Sequence, residues 1–253
     1  MSKHDLTILT GASRGMGLAM AHQLCVQGAV LVCISRNRSD ALQSWADTRG
    51  AQLTQWTADL AEAAPTAERL RAWLSAQPQA DIGRATLINN AGVVGHLGPL
   101  DTAGADDIAN CMRIDLEAPL QLSAAFLAAT ADWQMPRRIL NISSGLGRRA
   151  MSGTALYCAA KAGMDHFSRC VALDEARKPH GARIGSLAPG VIDTGMQATL
   201  RSGDPLQFPD RDQFQELKES AALASPDHAA AQVLAYLERP GFGDPVIGHV
   251  RDA

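Results

Sequence analysis

No run of apolar residues in this 253-residue chain approaches the ~20 that a membrane-spanning helix needs; the stretch 118–131 is shorter and carries Gln121 and Ser123. A membrane partner is therefore not expected. Concentrated positive charge is missing too. The densest basic pairs, Arg36/Arg38 and Arg148/Arg149, are too small to make an electrostatic footprint on a polyanion, so no nucleic-acid partner is expected. Cysteine is sparse and odd in number: positions 25, 33, 111, 158 and 170 form no Cys-x-x-Cys pair, which argues against a disulfide framework, and no metal site is expected. The chain opens Met-Ser-Lys-His-Asp without a secretory hydrophobic region, and together with the unpaired cysteines this leads us to expect a reducing cytoplasm. Aromatic residues make up only 4%, and Trp45, Trp56, Trp73 and Trp133 fall on expected helices or strands, where we read them as packing. No internal repeat or low-complexity tract is present.

What remains is 46% apolar and 19% charged with a formal charge of -3, the composition of one soluble domain large enough for a substantial core. Short β-branched or leucine-rich runs at 6–10, 30–35, 52–57, 86–89, 138–142, 183–187 and 246–250 read as strands, and the longer alanine-rich amphipathic segments between them read as helices. Strand alternating with helix implies right-handed βαβ units. The expected fold is α/β, a doubly wound, Rossmann-like parallel sheet of seven strands in a single domain, with ligands at the carboxyl ends of the strands. One stretch, 192–219, holds Gly195, Gly203, Pro205 and Pro209 and reads as a mobile lid with partial helices. Beyond it, Ser225-Pro226-Asp227 marks a helix start.

The first strand runs into Thr10-Gly11-Ala12-Ser13-Arg14-Gly15-Met16-Gly17 and then a helical pattern. Glycine there lets the chain reverse tightly and lets a phosphate approach backbone N–H groups at a helix N-terminus. The spacing is GxxxGxG rather than GxGxxG, and any tight β-α connection favours small residues, so the turn gains weight only from its place after a strand and before a helix.

Ser144, Tyr157 and Lys161 would offer a hydroxyl, a phenol and an ammonium to one carbonyl oxygen, which suggests a reductase. Tyr157 and Lys161 lie four apart in an alanine-rich helical run, hence on one face. A fixed cation favours the phenolate and lowers a tyrosine pKa that is otherwise near ~10. A core tyrosine beside a solvated lysine has the same spacing, so other features must decide.

These motifs, in this order, resemble the short-chain dehydrogenases/reductases over essentially the whole chain: the turn 10–17, Asp59-Leu60, Asn89-Asn90-Ala91-Gly92, Ser144 with Tyr157 thirteen on and Lys161 four beyond, and Pro189-Gly190-Val191-Ile192-Asp193-Thr194. Within that family, Asn141-Ile142-Ser143-Ser144, 155–159, 188–194 and Gln215-Glu216-Leu217-Lys218 are most similar to sepiapterin reductases and bacterial benzil reductases. The resemblance implies that Tyr157 donates a proton to the carbonyl oxygen, Ser144 hydrogen-bonds it, and Lys161 holds the nicotinamide ribose and depresses the tyrosine pKa. The spacing of thirteen selects Ser144 over Ser143. By the same resemblance, Gly11, Ser13, Arg14, Gly15, Met16 and Gly17 cradle the cofactor. Asp59 contacts its adenine, Asn90, Ala91 and Gly92 line it, the backbone at Ile192 with Thr194 holds its carboxamide, and Leu60, Pro189 and Gly190 also bind it. An N-cap for Asp59 and a plain turn for Asn-Asn-Ala-Gly are the simpler structural readings.

Charge speaks to the form of the cofactor. The second strand ends Ser35-Arg36-Asn37-Arg38 with no acid before Asp40, and Arg14 stands inside the glycine turn, so a 2′-phosphate would meet guanidinium groups; the expectation is NADP(H). Two positions depart from the family. Asp115 stands where most members carry an asparagine of the proton relay; an ionised Asp115 would offset the pull of Lys161 on Tyr157 and move the pH profile upward. At the C-terminus, His249 falls where sepiapterin reductases carry a pterin-anchoring aspartate, with Asp252 three residues on, which speaks against pterin reduction.

The expected substrate region comprises Val93, Val94, Leu97, Leu146, Met151, Met196, Leu200, Phe208 and Phe214, some of which would simply pack the lid. So apolar a set suits a hydrophobic ketone or aromatic α-dicarbonyl. Arg148 and Arg149 raise an alternative, a 3-ketoacyl-type reductase meeting an acidic carrier protein. A non-catalytic dinucleotide-binding sensor or scaffold is the reading from another class. The resemblance further implies a homodimer, or a tetramer, formed through 105–131 and 154–178.

Overall fold

In every central strand, alternate residues supply two different hydrophobic clusters. The computed structural model describes residues 3–252, with the side chain of Asp252 outside the description. Its strands are β1 (His4–Thr10), β2 (Val30–Ser35), β3 (Gln52–Thr57), β4 (Ile82–Asn89), β5 (Arg137–Ile142), β6 (Arg183–Ala188) and β7 (Ile247–His249). They pair in parallel in the order β3-β2-β1-β4-β5-β6-β7. Leu9, Leu31, Cys33, Ile88 and Leu140 pack one face; Leu6, Ile8, Val32, Ile34, Leu87 and Ile139 pack the other. Burial on both faces is why these strands read as nearly continuous apolar runs rather than as alternating ones.

The connecting helices are α1 (Gly15–Leu24), α2 (Asp40–Arg49), α3 (Ala64–Ser75), α4 (Ala105–Met112), α5 (Ala118–Ala129), α6 (Ala155–Glu175), α7 (Gly195–Arg201), α8 (Arg211–Glu219) and α9 (Pro226–Glu238). Local chemistry sets several ends. Ser39 and Ser225 cap α2 and α9 by accepting from the N–H groups of Leu42 and His228, and Gly50 ends α2 in the left-handed region at φ 67°. Between α4 and α5 a π-helical turn, Arg113–Glu117, inserts an extra residue and carries Asp115 inward.

Two sequence expectations change. β4 begins four residues before the expected 86, because its first residues pair with β1 and Arg84 is held against Asp5 and Glu238. Trp133 sits in the loop before β5, although it is buried, and Trp45 is 39% exposed, its indole N–H donating to the His22 carbonyl. Trp56 and Trp73 pack as expected.

The segment 192–219 contains two helices, α7 and α8, with a small core of its own. Val94, Leu200, Phe208 and Phe214 are buried together, the two phenylalanine rings 5.7 Å apart. Its base is tied: Ala224 N–H donates to the Val191 carbonyl, Asp193 N–H to the Ala224 carbonyl, and Lys218 pairs with Asp193 at 2.5 Å.

Candidate active site

At the carboxyl ends of β1, β4, β5 and β6 a cleft of about 560 Å³ opens, bounded on the far side by α7. One half is built mainly from backbone. Gly11 takes φ +70°, and a Cβ on Gly17 would stand 2.1 Å from the Gly11 carbonyl oxygen, so a side chain at either position distorts the turn. No side chain caps the start of α1, which leaves its first N–H groups facing the cleft. The loop after β4 is locked against this turn: the N–H groups of Asn90 and Ala91 both donate to Thr10 Oγ1 at 2.9 and 3.0 Å, and Asn90 Nδ2 donates to the Thr10 carbonyl. Uncapped N–H donors, a glycine turn that admits close approach and two flanking arginines fit a dinucleotide pyrophosphate.

Of the residues that the sequence assigned to the cofactor, Gly11, Ser13, Arg14, Gly15, Met16 and Gly17 line this half, as do Arg36, Asp59, Leu60, Asn90, Ala91 and Gly92. Pro189, Gly190, Ile192 and Thr194 line the cleft beside α7. Asn37 does not; it is exposed one residue past Arg36. Arg14 Nη1 lies 3.9 Å from where a Cβ on Gly195 would be, so its guanidinium reaches toward the first residue of α7. Asp59 lines the wall while capping a short 3-10 turn, its Oδ1 accepting from the Ala61 N–H at 3.0 Å; the simple capping reading and a place in the cleft both hold.

The other half is built from side chains. α6 places Tyr157 and Lys161 one turn apart, both lining the cleft and both buried, with Lys161 Nζ 5.6 Å from the centre of the tyrosine ring. Ser144, at the end of β5, lines the same wall, and its Oγ accepts from the Leu146 N–H. Lys161 reaches behind the phenol, donating to the Ile142 carbonyl at 3.1 Å and standing 3.3 Å from Asp115 Oδ2. Asp115 is fully buried outside the cleft wall; its Oδ1 accepts from the Val93 N–H at 2.7 Å. Gly92 makes room for this pair, since a Cβ there would lie 3.3 Å from Asp115 Oδ2 and 3.5 Å from Lys161 Nζ.

Burial pushes the Tyr157 phenol up, Lys161 pulls it down, Asp115 pushes it back up and the Ser144 hydroxyl pulls it down. The balance lies above the ordinary tyrosine value. The depressed pKa expected from the sequence is thus corrected: the lysine acts in the expected direction, but burial outweighs it. Burial lowers Lys161, but the charges of Asp115, Tyr157 and Cys111 together with the hydrogen bond to Asp115 outweigh it, so its value goes up and it stays an ammonium. Asp115 is also raised, by burial against the pull of Lys161 and the Val93 N–H. The neighbouring Cys111 thiol is pushed up to about 12 by burial and by Asp115, which leaves it no role as a nucleophile.

Around the phenol the wall is apolar. Val93, Val94, Leu146, Met196, Leu200 and Phe214 line it as expected, whereas Leu97, Met151 and Phe208 do not and serve the packing of 192–219. Arg148 is turned away, bonded to Asp165 Oδ2 and to the Gly248 carbonyl, so only Arg149 of that pair lines the cleft, with His249 and Arg251. Ser143 also lines it; its hydroxyl has no hydrogen-bond partner among the described residues. The residue that sequence reasoning missed is Gln197, which lines the cleft from α7. Its signal was helical spacing, one turn before Leu200 and next to Met196, but an inventory restricted to apolar residues passed over it.

Comparison with known proteins shows the family. A family model for short chain dehydrogenases matches residues 5–205. A benzil reductase of the (S)-benzoin-forming kind from Bacillus cereus is 33% identical over 235 residues, covering 93% of this chain and 94% of that protein. The sepiapterin reductase of Meriones unguiculatus is 33% identical over 248 residues, covering 93% and 92%. Among solved structures, the KRED1-Pglu enzyme aligns with a TM-score of 0.78 at 25% identity, over 92% of this chain and 95% of that one. With the glycine turn, the uncapped helix and the Ser144, Tyr157 and Lys161 wall in place, the chain belongs to the short chain dehydrogenase family of nicotinamide-dinucleotide oxidoreductases.

Proposed function

We propose that this protein is an NADPH-dependent carbonyl reductase acting on a hydrophobic ketone or α-dicarbonyl, with Tyr157 as the proton donor. The observation that carries the reading is the placement of a buried, protonated phenol and the Ser144 hydroxyl in a cleft whose lining includes Val93, Val94, Leu146, Met196, Leu200 and Phe214. A reduced nicotinamide bound in the cleft would supply hydride to the carbonyl carbon. The protein's own part is to receive the charge that develops on oxygen. Tyr157 gives that oxygen its proton, Ser144 donates a hydrogen bond to it, and the Lys161 ammonium beneath stabilises the phenolate that remains. Asp115 holds Lys161 charged and in place.

Arg14 and Arg36, with no carboxylate at the end of β2, support a preference for the 2′-phosphorylated cofactor. Benzil reductase relatives support the dicarbonyl side of the reading; His249 at the cleft, where a pterin would need an acid, argues against sepiapterin. A 3-ketoacyl thioester is the second reading, and with Arg148 engaged elsewhere it rests on Arg149 alone. Ile108, Leu120 and Leu173, exposed on α4, α5 and α6, support a homodimer through these helices. Five unpaired cysteines suit a reducing cytoplasm.

Initial rates with NADPH and a panel of benzil, a 3-ketoacyl thioester and sepiapterin test the assignment. Consumption with benzil well above the other two is the expected result. Faster turnover of the thioester would transfer the assignment to the second reading, and cofactor binding without consumption of any substrate would identify a sensor.

A further inference from the structure

The reacting carbonyl oxygen is provided for by Tyr157 and Ser144, but a vicinal dicarbonyl brings a second oxygen into the same apolar pocket. Left without a donor, that oxygen would lose its hydrogen bonds to water on binding and gain none. Gln197 is placed to supply one. It lines the cleft from α7, it is only 6% exposed, and its Oε1 is buried with no hydrogen-bond partner among the described residues. Its backbone N–H is already used, donating to the Thr194 carbonyl at the start of α7. An amide can exchange its oxygen and its NH₂ by a half-turn, so the side chain can offer its NH₂ to the cleft it lines. Met196 and Leu200, its neighbours on the same helix, present only apolar surface to the cleft.

Other polar groups lining the cleft are exposed, as Arg149 and Arg251 are, or committed, as His249 Nδ1 is to the Arg251 N–H, or less suited. Thr154 Oγ1 donates to the Met151 carbonyl, and Ser144 and Tyr157 serve the reacting oxygen. Ser143 is unpartnered like Gln197, but it sits beside Ser144 at the end of the same strand, whereas Gln197 comes from a different element of the cleft. A buried amide left unpaired is costly, and a pocket that carries one favours the ligand that completes it.

We propose that Gln197 is the specificity-determining residue for the second oxygen: its amide donates a hydrogen bond to the non-reacting carbonyl of a 1,2-dicarbonyl substrate and so favours such substrates over simple ketones. This rests on the carbonyl-reductase reading above. Gln197→Met keeps the length of the side chain and removes its polar end. With the full-length protein and NADPH, kcat/KM is measured for 1-phenylpropane-1,2-dione and for propiophenone, which lacks the second oxygen. The ratio of dione to monoketone should fall roughly 10–100-fold in Gln197→Met, and the choice of which dione carbonyl is reduced should become less selective.

An unchanged ratio overturns the proposal, as does a preference of the wild type for propiophenone. So does a selective loss on the dione in Ser143→Ala that Gln197→Met fails to show. Thermal melting of each variant separates loss of fold from loss of recognition; should Gln197→Met not fold, Gln197→Leu takes its place under the same criteria. If the wild type reduces neither compound nor benzil, the carbonyl-reductase reading itself fails and this inference with it. Turnover of the dione that is indifferent to Gln197 removes only the inference.

Discussion

The dinucleotide half of the cleft is made mostly of backbone, and the reacting half mostly of side chains brought from distant parts of the chain. In the first, Gly11, Gly17, Asn90 and Ala91 meet so closely that added atoms have no space, and the donors offered are N–H groups. In the second, Ser144 from the loop after β5, Tyr157 and Lys161 from α6 and Gln197 from α7 line one volume, with Asp115 of the π-turn behind Lys161. The backbone half can bind any ligand with the right phosphate geometry. Under the proposed carbonyl-reductase function, which carbonyl is reduced, and at what pH, depends on the side-chain half.

Substitutions on the two sides should therefore fail differently. The largest effect is expected from Tyr157→Phe, which removes the proton donor and leaves the glycine turn intact; kcat/KM for the ketone should fall about 10²–10⁴-fold. Initial rates on a variant whose thermal melt matches the wild type would check this, and a loss under about tenfold would return Tyr157 to a packing role. On the dinucleotide side, Arg36→Asp should change cofactor choice rather than chemistry. The ratio of kcat/KM with NADPH to that with NADH should drop roughly 10–100-fold. An unaltered ratio would mean that Arg36 is only a solvated loop residue.

The smallest effect is expected behind the reacting wall, at Asp115→Asn. The Asp115 charge raises the Tyr157 pKa, so removing it lets the phenol ionise at lower pH. Ketone reduction needs the protonated phenol, and its alkaline limb should move toward neutral by about one pH unit or less. The titratable groups around Tyr157 are Lys161 on its own helix, Asp115 on the π-turn and Cys111 on α4, and of these only Asp115 changes charge in the variant. Superimposable pH–rate curves would show that Asp115 only holds Lys161 in position.

Strands 30–35 and 52–57 were legible to the residue, because β-branched and leucine-rich runs ended cleanly at turn residues. β4 was not: Ile82-Gly83-Arg84-Ala85 carries a weak strand signal and is ordered by pairing with β1 and β5 and by the ion pairs of Arg84. In the cleft, the glycine turn and the Tyr157/Lys161 spacing could be read directly, since both depend on separations of a few residues. The lid residues could not be sorted by sequence, because Phe208 inside a small core and Phe214 on the cleft wall have the same chemistry.

By itself the sequence determined the alternation of strand and helix, the phosphate-compatible turn and the shared face of Tyr157 and Lys161, all fixed by local steric demand and helical periodicity, while Ser144 was selected by the family resemblance. Only the tertiary structure decided that burial outweighs Lys161 in setting the Tyr157 pKa, that Arg148 is spent on Asp165 and Gly248 while Arg149 borders the cleft, and that the Gln197 amide oxygen lies buried and without a partner among the described residues. Desolvation and hydrogen-bond satisfaction depend on everything within a few ångströms of a group in space, and sequence spacing carries that information only for neighbours on the same helix or strand.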